Sequence, residues 1–215
     1  MSTASVQARR DRRLPDLVLA SRSPRRLRLL EAHGFAPLVR PARIDDALVP
    51  LAADVGPVVA ATALAWLKAR DVLTQGDLPA GTWVLAADTI CELDGRLLGK
   101  PRDRGHAGRM LEMLFDREHR TVTGVCLVRV GEVRPPTRRL WAEAAEVAMD
   151  RPSEALVRSH LDSGAWQGKA GGYSLDEVRR AGWSIRCDGD PQVVLGLPVE
   201  SVLRELAHAE RGGTA

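Results

Sequence analysis

Aromatic residues are scarce, at 4% of 215 residues with a single tyrosine and two phenylalanines. That leaves little material for the stacking platforms on which single-stranded nucleic acids lie. Cysteine is scarce too: Cys91, Cys126 and Cys187 lie far apart with no C-x-x-C pair, which excludes a disulfide framework or a zinc knuckle. The five histidines form no H-E-x-x-H pattern, so no zincin-type helix is present. No apolar run approaches the roughly 20 residues that a membrane span needs. The charged N-terminus lacks the apolar stretch of a signal peptide, and the cytoplasm is the expected compartment. A strong excess of one charge is also missing. The formal net charge is +3, and much of it comes from Arg9, Arg10, Arg12 and Arg13. Without those four the balance is about −1, which argues against a surface that coats DNA.

What is present is an ordinary globular composition, 45% hydrophobic, ample for one core or for two lobes around one cleft. Residues 1–16 read as a flexible basic arm, 17–207 as the folded domain and 208–215 as a disordered tail. Along the domain, strand and helix signals alternate. Leu17 to Ala20 is a short apolar strand, followed by a helix with Ser23 as N-cap, Pro24 at its first position and Gly34 past its end. A second helix is predicted from about Pro57 to Leu73. Trp83 to Ala87 is a further apolar strand arriving at Asp88, and Ile90 to Leu98 reads as a hairpin turning at Asp94-Gly95. Helices are expected at Ala107 to Leu114, Ser153 to Leu161 and Pro198 to Ala207. Strands are expected at Val122 to Val130 and Ser184 to Cys187, and Arg138 to Met149 fits either a strand or a helix, with the strand preferred. Hairpin and crossover signals coexist, so the expected class is α/β with a mixed sheet.

Chemistry gathers at four places. Ser21, Ser23, Arg25 and Arg26 crowd one helix N-terminus, where free N–H groups, hydroxyls and guanidinium forks suit a polyphosphate. A capped surface helix with solvated arginines has the same composition. Asp88 stands at the end of an apolar strand, where α/β sheets present ligands, or where a turn carboxylate closes the strand. The hairpin returns Lys100 toward Asp88 and makes it a candidate phosphate clamp. Asp45 and Asp46 form an acidic pair that suits a hard cation such as Mg²⁺, or a polar loop. Lys68, alone on its helix, reads as a solvent-facing lysine. The glycine-rich stretch Ser163 to Glu177 is neither a Walker A motif nor a dinucleotide fingerprint, and on its own it reads as a flexible loop.

Taken in order, these segments closely resemble the Maf family of nucleotide pyrophosphatases. The residues that carry the resemblance begin with Leu19-Ala20-Ser21-Arg22-Ser23-Pro24-Arg25-Arg26, Ile44-Asp45-Asp46 and Ala87-Asp88-Thr89. They continue with Leu98-Gly99-Lys100-Pro101, Val122-Thr123-Gly124-Val125, Lys169-Ala170-Gly171-Gly172-Tyr173 and Gly196-Leu197-Pro198. The resemblance implies a two-lobed α/β fold around a deep nucleotide-binding cleft, like that of inosine triphosphatases, and a protein that is often a homodimer. It implies hydrolysis of the α–β phosphoanhydride of a nucleoside triphosphate with Mg²⁺ or Mn²⁺. By position, Asp88 matches the carboxylate that activates water, and Lys68 and Lys100 match the active-site lysines. Asp46 matches a metal-binding acid that is usually Glu, and it would hold the metal together with Asp88. Ser21, Arg25 and Arg26 match the triphosphate loop.

Arg25 and Thr89 resemble the branch that prefers dTTP and UTP. The third selectivity position falls on Asp176, with Glu177 as the neighbouring register, and an acid there resembles the 7-methyl-GTP branch. Gly189-Asp190-Pro191 resembles that second branch too, and Phe115-Asp116-Arg117 departs from the family's usual Ser-Gly-Arg. The expected substrate is therefore dTTP or UTP, or a modified nucleotide such as inosine triphosphate in a house-cleaning role; the alternative reading is a catalytically silent nucleic-acid-binding or cell-division regulatory protein on the same fold.

Overall fold

The computed structural model describes residues 16–44, 49, 55–131 and 138–212. The four arm arginines and the Asp45-Asp46 pair, with its expected metal ligand Asp46, lie outside the described residues. In chain order the elements are β1 (Leu17–Leu19), α1 (Pro24–Ala32), β2 (Leu38–Val39), α2 (Pro57–Thr74), β3 (Trp83–Leu93), β4 (Arg96–Leu98) and α3 (Arg104–Leu114). There follow β5 (Arg117–Arg129), β6 (Arg138–Met149), α4 (Glu154–Asp162), a 3₁₀ turn (Ala170–Gly172), α5 (Leu175–Arg180), β7 (Ile185–Asp188), α6 (Pro191–Leu195) and α7 (Val199–Gly212). No described helix is long and apolar enough to cross a membrane.

The strands form one mixed sheet in the order β2-β1-β3-β5-β6-β7, with β4 also paired to β3. β1 runs parallel to β2 and β3, and the remaining pairs are antiparallel. The β3–β4 hairpin turns at Asp94-Gly95, where both residues take left-handed φ values of 49° and 78°, as a tight two-residue hairpin requires.

The long strand β3 organises the molecule. Along one edge it pairs with β5 from Trp83 to Glu92. Along the other edge it pairs first with β1, over Trp83 to Leu85, and later with β4, over Cys91 to Leu93. Between those partners, no described strand pairs with Asp88 to Ile90 on that edge. The sheet therefore opens at a point where a parallel neighbour gives way to an antiparallel one, the kind of switch point at which α/β folds bind ligands.

Side chains alternate across this sheet. On one face Leu85, Ala87, Val125 and Leu127 pack with Leu30 of α1 and with Val199, Val202 and Leu206 of α7. On the other, Val84, Ala86, Cys126 and Val128 pack with Ala65, Ala69 and Val72 of α2. Further along the same strands a second core gathers Cys91, Leu93, Val147 and Met149 with Leu111 and Leu114 of α3 and Leu175 and Val178 of α5. Asp88 lies between the two cores.

Several expectations change. The strand expected to end at Ala87 runs on through Asp88 and Thr89 to Leu93, because β5 continues the ladder opposite these polar residues. The last helix does not stop at Ala207 but reaches Gly212. Residues 208–212 are therefore helical rather than part of a disordered tail, as helix-forming residues and the packing of Ala209 dictate. The short helices α5 and α6 were not expected at all.

Candidate active site

A cavity of about 760 Å³ opens beside the unpaired stretch of β3, within the size range of small-molecule sites. Segments from along most of the described chain reach it. The turn from β1 into α1 brings Ser21, Arg25 and Arg26; α2 brings Lys68; β3 brings Asp88 and Thr89; and the segment after β4 brings Lys100. The glycine-rich stretch brings Gln167, Gly168 and Lys169, and α5 brings Glu177. Among the described lining residues eight are cationic and two, Asp88 and Glu177, are acidic.

Asp88 and Lys68 form the centre. Lys68 Nζ lies 2.5 Å from Asp88 Oδ1, and the two residues are only 8% and 4% exposed. Lys68 is thus a buried partner rather than a solvent-facing lysine. Its placement follows from the packing of α2, whose buried face also carries Ala60, Ala61, Leu64, Ala65 and Ala69. Small residues let the helix lie close to the sheet, and the closest approach is at Gly124, directly across from Asp88. A Cβ on Gly124 would stand 2.3 Å from the Ala61 carbonyl carbon, a distance no side chain tolerates. Gly124 and Asp88 face the same side, so the glycine sets the height from which Lys68 reaches the carboxylate.

The start of α1 is held by a different device than a serine N-cap. Ser23 occupies the N-cap position but makes no side-chain cap bond; instead Ser21 Oγ accepts from the Ser23 N–H at 3.1 Å. Arg25 lines the cavity, and burial draws its guanidinium below its ordinary value, opposed by the nearby Glu177 carboxylate. Arg26 donates through Nε to the Gly196 carbonyl at 2.7 Å, and through its terminal nitrogens to Ser21 Oγ and Thr89 Oγ1 at 3.3 and 3.2 Å.

Lys100 lines the cavity as the hairpin geometry predicts. Asp176 does not: it is exposed and outside the lining, while Glu177, one residue on, faces inward. Of the two registers that the resemblance offers, only Glu177 faces the cavity, because the first turn of α5 directs successive residues to different faces. Glu177 is ion-paired with Lys169, which is buried and also donates to the Ala165 carbonyl. In the sequence Lys169 belongs to the Lys169-Ala170-Gly171-Gly172-Tyr173 motif without a role of its own. The signal lay in its spacing from an acid eight residues on, which only the fold of the intervening glycines interprets. Behind this wall Tyr173, another lining residue, bonds His119 Nε2 at 2.7 Å. Burial pushes the His119 imidazole down to about 4 and holds it neutral at physiological pH.

No group of three His, Cys, Asp or Glu side chains that could hold a metal is found among the described residues. Mg²⁺ does not need one, since it takes one or two carboxylates and completes its shell with water and substrate phosphate. Asp88, a hard oxygen donor at the cavity surface, fits that requirement.

Fold and cavity together define a mixed-sheet α/β protein with one deep, mainly cationic site around a buried lysine–aspartate pair. Residues 16–209 match the family described as "Maf-like protein", and the chain belongs to that family. It is 39% identical over 190 residues to a dTTP/UTP pyrophosphatase of Salinibacter ruber, covering 88% of this chain and 89% of that one. It is 42% identical over 164 residues to a dTTP/UTP pyrophosphatase of Paramagnetospirillum magneticum, covering 74% and 79%. Among solved structures, a HAM1 protein from Coxiella burnetii superimposes with a TM-score of 0.46 at 17% identity, covering 89% of this chain and 100% of that one.

Proposed function

We propose that this protein hydrolyses the α–β phosphoanhydride bond of a nucleoside triphosphate, releasing the monophosphate and pyrophosphate, with dTTP and UTP as its substrates. The observation that carries this reading is the buried Lys68–Asp88 pair opening into a cavity with Arg25, Lys100 and Lys169. Phosphoryl transfer asks a protein to position a nucleophile and to neutralise charge on phosphate oxygens, and this set of residues is suited to both. Asp88 accepts a proton from the attacking water. Lys68 fixes the carboxylate in place. The oxygen attacks the α-phosphorus, the bond to the β-phosphate oxygen breaks, and the pyrophosphate leaves carrying the electron pair. Lys100 and Arg25 neutralise the charge that gathers on it. Ser21 holds the triphosphate at the start of α1.

Mg²⁺ or Mn²⁺, held by Asp88 and Asp46, would supply Lewis-acid charge to the phosphate oxygens. The pyrimidine assignment draws on the names of the relatives and on the wall near Glu177. An unaccompanied carboxylate only accepts hydrogen bonds. Paired with Lys169, that wall presents N–H donors as well, and so is compatible with the acceptor–donor–acceptor edge of uracil or thymine. Work in the cytoplasm as a homodimer belongs to the same reading, carried by the family resemblance.

The test is a panel of nucleoside triphosphates incubated with Mg²⁺ or Mn²⁺, with products separated. Pyrophosphate and monophosphate in equal amounts, fastest from UTP or dTTP, are expected. Orthophosphate and diphosphate, or no product with tight DNA binding instead, would overturn the reading.

A further inference from the structure

Arg26 and Thr89 line the cavity, and a chain of hydrogen bonds leads from them into the protein interior. Arg26 Nη2 donates to Thr89 Oγ1 at 3.2 Å, Thr89 Oγ1 lies 2.9 Å from Thr123 Oγ1, and Thr123 Oγ1 donates to the Val193 carbonyl at 2.7 Å. A carbonyl cannot donate and a guanidinium cannot accept, so both ends of the chain are fixed. Each hydroxyl has one proton. Thr123 uses its proton on Val193, so Thr89 must donate to Thr123 and accept from Arg26. The relay has a single direction, and the Thr89 proton is committed within it.

Thr89 and Thr123 are directly paired across β3 and β5, on the sheet face opposite to Asp88 and Gly124. Thr123 is 0% exposed and outside the cavity lining, so it touches no ligand. Arg26 also grips the Gly196 carbonyl and Ser21 Oγ. A Cβ on Gly196 would meet Thr89 Oγ1 at 3.1 Å and Arg26 Nε at 3.3 Å, and its φ is 102°, so the α6–α7 turn closes tightly on the same two side chains. The network therefore ties four parts of the molecule together: the start of α1, the middle of β3, β5, and the segment from α6 to α7.

We propose that Arg26, Thr89 and Thr123 form a one-way hydrogen-bond relay that positions the Ser21 loop against the Asp88 strand, with Thr123 as its buried positioning residue. In this assignment the Thr89 proton serves the relay, and Arg26 acts through the loop it holds. The proposal rests on the pyrophosphatase reading for its kinetic consequence, but its structural consequence is independent of any activity.

Two measurements on the full chain test it. The first is pyrophosphate release by Thr123→Val, a near-isosteric change that removes only the relay's central donor and acceptor. Turnover is expected to fall about tenfold or more for every nucleotide, with KM and the UTP-to-GTP ratio little changed, the pattern of misplaced groups rather than lost binding contacts. Thr123→Ser, which keeps the hydroxyl, is expected to restore turnover. Thr89→Val breaks the same relay from its other side, so it should match Thr123→Val and add nothing to it in the double variant. It also serves as the test if Thr123→Val does not fold. Full turnover in folded Thr123→Val, or in folded Thr89→Val, would overturn the relay. The second measurement is amide hydrogen exchange at Ser21 to Arg26, expected to quicken about tenfold in Thr123→Val. Unchanged exchange there would overturn the relay even if no nucleotide were hydrolysed, whereas a wild-type chain inert on the whole panel would overturn only the functional reading.

Discussion

At the scale of single residues, the cavity places one carboxylate where cations outnumber acids eight to two among the described lining. A polyanion entering it finds charge complementarity around a buried lysine–aspartate centre, where such interactions are worth more than in water. Lys100→Ala should lower kcat by about 10²-fold or more, the scale of losing one transition-state charge partner. Near-normal steady-state turnover would remove Lys100 from the mechanism. Base selection gives a sharper contrast between neighbours. Glu177 faces the cavity beside Lys169, while Asp176 points to solvent. Glu177→Gln is expected to change the ratio of kcat/KM between UTP and GTP, and Asp176→Gln to leave it where it was. Competition assays with mixed nucleotides decide between them, and the reverse outcome would restore the Asp176 register.

At the scale of elements, the site depends on how closely α2 lies against the sheet. Gly124→Ala would push a methyl group into the Ala61 backbone, and overpacking of this kind costs about 1–3 kcal/mol. The helix must lift, carrying Lys68 away from Asp88. We expect a lower melting temperature together with a loss of turnover of about tenfold or more. A folded Gly124→Ala protein with wild-type kcat would show that the height of α2 is irrelevant to the chemistry. Much of this arrangement was legible in the chain. The helix from Pro57, the hairpin at Asp94-Gly95, the strand from Arg138 and the return of Lys100 toward Asp88 all follow local patterns that the fold keeps. What local pattern could not supply is pairing at a distance. Asp88 and Thr89 interrupt an apolar run and read as a strand end, yet Gly124 and Thr123 of β5 hold them in the ladder. Lys68 reads as a surface lysine until its aspartate arrives from another element. Helices α5 and α6, with six and five residues, are too short for periodicity to register. Asp116 shows the same limit from the other side: its φ of 58° explains why the family usually has glycine there, and its carboxylate accepts from the Arg151 N–H at 2.9 Å.

At the scale of the whole molecule, apolar clusters lie along β3 on either side of Asp88, and the cavity opens between them. Buried histidines make that frame sensitive to acid. The His119 imidazole is pushed down to about 4 by burial, while the unfolded chain titrates near the ordinary value of about 6.5. Between those values the unfolded state binds the extra proton. The contribution is therefore complete above about pH 6.5 and is lost as pH falls toward 4, a difference of about 3 kcal/mol. His160, lowered chiefly by burial, acts in the same direction. Urea unfolding at pH 7 and pH 4.5 should show this loss, and His119→Leu should flatten it relative to the wild type; an identical slope in both proteins would assign the acid sensitivity elsewhere. The central claim, that the Lys68–Asp88 pair drives hydrolysis at the α-phosphorus, is tested most directly by Asp88→Asn. Pyrophosphate release from saturating UTP with Mg²⁺ is expected to fall about 10³-fold or more, on the scale of removing a general base, with a lowered melting temperature because the buried Lys68 ammonium loses its countercharge. Undiminished release by the folded variant would contradict the account.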